Sequence, residues 1–214
     1  EFLAMCLVPV AGSIGFVTLL TYLPSAFSGI RDLSAGQAGL LMLAMTIPVV
    51  IAPTVVAKLV DTVTWINVGS VIYTSLAVLI FGDLGLMLLS ENRSLAWIIV
   101  PMILLGFGFG LPIGLVDGHA LQVVPPERTG TAAGLLNFFR LGSEAIFVAG
   151  YALLLSTLIG QKLTGDAATD TAAGQPGHPD VYTSAFTTTV LIVAVLVVVI
   201  AIAVLAIRRS EHTD

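Results

Sequence analysis

Arg140 and Glu144 are the residues of this chain whose chemistry most needs a reason. Both fall near the middle of an apolar stretch, residues 129–160, that is long enough to cross a bilayer. A charge at that depth costs about 2.5–3.5 kcal/mol or more unless it faces protein or water. One helical turn separates the two, so they can pair with each other. At 100° per residue, Asn137, Arg140, Glu144 and Tyr151 share an arc of about 60°. Gly142, Ile146 and Leu153 lie on the opposite side. A polar arc on an apolar helix faces the bundle interior or an aqueous cavity. Two readings are open: a pair that only fixes helix orientation, or a functional pair in which Glu144 exchanges a proton or one of the two meets substrate.

Other polar groups are weaker signals. Asp117 and His119 close the fourth apolar stretch, where they read as a helix-end pair near water or a proton relay; without a third ligand they are not a zinc site. Asp83 sits between Gly82 and Gly85 late in the third stretch, at a depth the sequence leaves ambiguous. Thr18, Thr21, Tyr22 and Ser25 share one face of the first stretch and suit a polar lining, although Ser and Thr also bond backbone inside membrane helices. Gly106, Gly110, Gly114 and Gly118, each four residues from the next, predict a stripe where another helix approaches closely. The Gly106-Phe107-Gly108-Phe109-Gly110 text superficially resembles a nucleotide loop, but no strand precedes it.

Composition says what carries these groups. The chain is 57% hydrophobic and 10% charged, with a net charge of -5. Soluble domains hold about 25% charged residues, so this is an integral membrane protein. The acidic balance, with no Lys/Arg cluster, argues against a nucleic-acid partner. Cys6 is the sole cysteine, which excludes an intramolecular disulfide and a Cys-based metal site. No cofactor or metal is expected. The chain opens at Glu1 with no basic leader before the first apolar run, as an excised fragment would.

A helix needs about 20 apolar residues to cross the hydrocarbon core. Stretches at roughly 2–27, 36–58, 66–89, 95–120, 129–160 and 183–207 qualify. They predict a single all-α domain of six transmembrane helices, with Ser34 and Gln37 as a capping box opening the second. Prolines at 9, 48, 53, 101 and 112 mark kink sites. Short connectors make successive helices antiparallel neighbours. Residues 161–182, polar and rich in small side chains, read instead as a flexible surface loop on the non-cytoplasmic side. Lys58, Arg128, Arg208 and Arg209 fall on one side of the bundle and Arg31, Arg93 and Lys162 on the other. That balance votes for cytoplasmic termini.

No catalytic constellation occurs: there is no His-Glu-x-x-His, no Gly-x-Ser-x-Gly and no Walker lysine. The chain is not expected to be an enzyme.

The fourth and fifth stretches carry a more specific text. Leu105-Gly106-Phe107-Gly108-Phe109-Gly110, followed by the run from Val124-Pro125-Pro126-Glu127-Arg128 through Gly130, Ala132, Gly134 and Asn137 to Arg140-Leu141-Gly142, resembles the major facilitator superfamily. It is similar to the tenth and eleventh helices of a twelve-helix member, or their equivalents in the fourteen-helix drug:proton antiporters. The family's signature loop, Gly-x-x-x-Asp-Arg-x-Gly-Arg, is matched after the second stretch only by Asp61, with Ala57, Thr62, Thr64 and Trp65 at the other places. Asp61 is the candidate gating-loop residue, although the basic gating residues are missing here.

The resemblance covers the chain as the C-terminal six-helix half, built of two inverted three-helix repeats, with the N-terminal half as its missing partner. It implies alternating access in a bacterial inner membrane, with a small-molecule substrate between two halves. The expected function is proton-coupled efflux of a small hydrophobic or drug-like compound. Glu144 and Arg140 are the expected proton-coupling groups; Tyr22, Asn137 and Tyr151 line the expected cavity. The alternative is a non-transporting six-helix scaffold or channel-like homo-oligomer in membrane lipid.

Overall fold

The computed structural model describes residues 2–63 and 66–211, so Thr64 and Trp65 of the signature-loop comparison lie outside the described residues. Every described element is helical. In chain order they are α1 (Phe2–Gly12), a π-helical turn (Ser13–Val17), α2 (Thr18–Arg31), α3 (Ala35–Thr62) and α4 (Val68–Leu86). Then follow α5 (Ala96–Gly110), α6 (Leu115–Gln122), α7 (Thr129–Gly160), α8 (Gly165–Ala172) and α9 (Pro179–Glu211). They make six helices long and apolar enough to cross a membrane: Phe2–Arg31, Ala35–Thr62, Val68–Leu86, Ala96–Gln122, Pro126–Gly160 and Pro179–Ser210.

The first span is the hub. Its Ala4, Met5, Cys6, Ala11, Leu19, Leu23, Ala26 and Phe27 are fully buried, and it packs against spans on several sides. Its helix is not uniform. Pro9 cannot donate a backbone hydrogen bond, and one turn later the ladder widens into the π turn. There the Thr18 N–H and hydroxyl both reach the Ser13 carbonyl, the hydroxyl at 3.0 Å. The second span opens on the capping box the sequence predicts: Gln37 Oε1 accepts from the Ser34 N–H at 3.0 Å, and Ser34 Oγ accepts from the Gln37 N–H. Asn67 and Ser70 form a second box at the start of α4.

Glycines set the closest contacts, but not as one stripe. Gly106 and Gly110 face α3, where a Cβ at Gly110 would lie 2.8 Å from the Ala52 side chain and 3.0 Å from Val49 Cα. A Cβ at Gly106 would run into the Met45 carbonyl. Gly108 faces the other way, onto the Leu79 backbone nitrogen of α4 at 2.8 Å. The expected continuation fails beyond this point. Gly114 takes a φ of +80°, ending one helix and starting the next, and a Cβ added to it or to Gly118 would meet nothing within 4 Å. The physical reason is the Leu111–Gly114 turn, which changes the direction of the chain, so the four-residue spacing no longer projects along one face.

The 161–182 connector also differs from expectation. Instead of a flexible loop it contains α8, with Thr171 buried, and its Gly174 (φ +83°) rests on Ser25 of α2. The last helix begins earlier than the hydropathy suggests, with Pro179 in its first turn, a position that needs no N–H. Tyr182 is fully buried against Gly29. The guanidinium of Arg31 reaches the carbonyls of Ser90, Glu91 and Arg93, tying the end of the first span to the α4–α5 hairpin.

Candidate functional site

The break at Gly114 decides what Asp117 can touch. It starts the short helix α6 three residues before Asp117, and the carboxylate meets Arg140 on α7 rather than a helix packed on the glycine face. One guanidinium nitrogen, Nη2, stands 2.8 Å from both Oδ1 and Oδ2 of Asp117. The two side chains are 30% and 33% exposed, so the ion pair is partly screened rather than sealed.

This corrects the expected Arg140–Glu144 pairing. The helical spacing allows it, but the carboxylate supplied by the neighbouring span takes the cation with both oxygens. Glu144 is half-buried and makes no hydrogen bond or ion pair with any described residue. The backbone at Arg140 is held as well. Its carbonyl accepts the Ser143 hydroxyl at 2.8 Å and, more loosely, the Ser13 hydroxyl of the π turn at 3.4 Å.

The ion pair forms one wall of a cavity of about 150 Å³ between the first, third, fourth and fifth spans. Val8, Pro9, Leu76, Leu79, Phe109 and Pro112 make most of the remaining wall. Apart from Ser75, its polar side chains are those of Asp117 and Arg140. Phe109 stacks on Phe16 with ring centres 4.4 Å apart, linking the cavity wall to the π turn. The chemistry is that of a small apolar chamber with one pair of opposite charges in its wall.

The other predicted site residues divide into separate places. Tyr22 and Tyr151 come together, their rings stacked at 4.6 Å, with the Tyr22 hydroxyl donating to the Val148 carbonyl at 3.0 Å. Tyr151 lies eleven residues beyond Arg140, about 16 Å along the helix, and neither tyrosine lines the cavity. Asn137 is exposed on α7, outside it. Asp61 is exposed in the last turn of α3, which extends into the connector the sequence reads as a loop. No group of three His, Cys, Asp or Glu side chains placed to hold a metal occurs among the described residues.

Sequence reasoning missed Asp117 as the partner of Arg140. A signal was present in Gly110-Leu111-Pro112-Ile113-Gly114, where proline and glycine allow the fourth span to break before Asp117. The family model of the Major Facilitator Superfamily matches residues 2–148, a segment that includes the cavity walls, Asp117, Arg140 and Glu144. No curated protein gives a significant match.

Proposed function

Because the chain belongs to the major facilitator superfamily, whose members are transporters, we propose that it moves a small hydrophobic compound outward across the membrane in exchange for protons. The observation that carries this reading is the Arg140–Asp117 ion pair set in the wall of an otherwise apolar cavity. Apolar walls suit a hydrophobic substrate, and a separable charge pair suits a coupling device.

The proposed switch is a change of partner. Arg140 holds Asp117 on the fourth span in this state, while Glu144 lies one helical turn away without a partner among the described residues. A proton added to Asp117 removes its charge and frees the guanidinium to turn to Glu144; a proton on Glu144 drives it back. Each transfer makes or breaks the link between the fourth and fifth spans, which is the kind of two-state element alternating access requires. Glu144 thus carries the proton while Arg140 is held by Asp117.

Further parts of the proposal concern the surroundings. A polar Asn137 exposed on α7 beside exposed Phe138 and Leu141 fits a face that meets a second six-helix bundle across a wet cleft. The two bundles would enclose the substrate, with cytoplasmic termini in a bacterial inner membrane as the loop charges favour. The test is proton-driven movement of a lipophilic fluorescent amine in vesicles containing the full-length protein. Glu144→Gln should insert normally and lose that movement; unchanged movement would remove Glu144 from the mechanism.

A further inference from the structure

Asp83 is the buried polar group that the cavity reading leaves unused. Its side chain is fully buried in α4, and neither carboxylate oxygen has a hydrogen-bond partner among the described residues. It faces the π turn of the first span: a Cβ placed on Gly15 would lie 2.8 Å from Oδ2. The glycine is therefore required by the carboxyl, and the carboxyl lies against backbone where the helical ladder is irregular.

An unpaired charge in such a place is costly, and the described residues around it offer no side chain to offset it. The π turn and α5 contain no titratable residue, and α1 contributes only Cys6. On α6, Asp117 is engaged with Arg140 at the cavity, and His119 lies farther along the same short helix. On α9, Arg208 sits over Tyr73, ten residues before Asp83 and about 15 Å away along α4; Arg209 follows it at that end. Asp180 and Tyr182 lie in the first turn of α9, where Tyr182 packs on Gly29. A metal cation would need about six oxygen ligands, and the neighbours here are Gly15 and Leu79. A proton neutralises the carboxyl with no further ligand.

The route to water is equally specific. Leu79 lies one helical turn before Asp83, lines the Arg140 cavity, and also touches the Gly15 position at 3.1 Å. Leu79 is thus shared by the chamber lining and by the Gly15 position against which the carboxyl lies. We propose that Asp83 is a second proton-exchange site, closed from the cavity by Leu79 and opened when the first span moves at its π turn. While the site is open the acid O–H gives its proton to water in the cavity, leaving a carboxylate, and that carboxylate takes a proton back from the same water before the span returns. The proposal extends the proton-coupled reading above, but its test needs neither substrate nor gradient.

Dicyclohexylcarbodiimide, an apolar reagent, adds to protonated carboxyls and leaves a stable acylurea. The purified full-length protein in detergent is treated over a pH series, and the modified peptides are located by mass spectrometry. Modification at Asp83 is expected, with a yield that falls as pH rises and an initial rate raised severalfold by Leu79→Ala. Leu79→Val gives the same reading if the alanine variant folds poorly. No label at Asp83 under conditions that modify Glu144, or labelling indifferent to pH, would overturn the proposal. Because transport is not measured, these outcomes bear on Asp83 whatever becomes of the Arg140–Asp117 switch.

Discussion

Arg140 and Asp117 stand on different membrane spans, and a single guanidinium nitrogen lies 2.8 Å from both oxygens of the carboxylate. The contact joins the short helix after a glycine break to the fifth span. With each side chain about a third exposed, it is too screened to be a rigid staple. A link of that strength can be made and broken within a transport cycle.

The first prediction concerns its energy. A double-mutant cycle with Asp117→Asn and Arg140→Gln, read by thermal unfolding in detergent, should give a coupling energy of about 0.5–1.5 kcal/mol. A coupling near zero would mean that the two side chains are neighbours without being partners.

The glycines of the fourth span make a second test, because the structure separates them into two kinds. Gly106→Ala forces a methyl into the Met45 carbonyl and should destabilise by about 1–3 kcal/mol. Gly118→Ala points into open space and, as a helical position, should be neutral or stabilising by up to about 1 kcal/mol. Equal losses at both positions would restore the continuous stripe that the structure breaks.

What the sequence showed and what it hid follow from the range of the forces involved. Spans, the Ser34–Gln37 box and the family text depend on residues close together in the chain, and those were legible. Helical phase grouped Asn137, Arg140, Glu144 and Tyr151 on one arc of the fifth span, but phase cannot name the partner across a gap. Arg140 met Asp117, Tyr151 met Tyr22, and Asn137 met neither. Asp83 was visible as a residue, whereas its burial depended on Gly15, which lies 68 positions earlier and on another span.

A third prediction follows from the connector before α9. Gly174 combines a positive φ with a 2.7 Å approach of its would-be Cβ to the Ser25 carbonyl. Gly174→Ala should therefore cost about 1–3 kcal/mol. It should also expose the 161–178 segment to limited proteolysis while leaving helix content unchanged. Protease resistance equal to the wild type would show that α8 does not depend on this contact.

The proposed proton-dependent switch at Arg140 is tested most directly by transport itself. The measurement is the initial rate at which a lipophilic fluorescent amine moves under an imposed pH gradient in vesicles holding equal amounts of folded wild type or Arg140→Gln. The account predicts that the variant loses about tenfold or more of the rate, equivalent to at least 1.4 kcal/mol in the barrier, with insertion and folding retained. A wild-type rate from Arg140→Gln would contradict it.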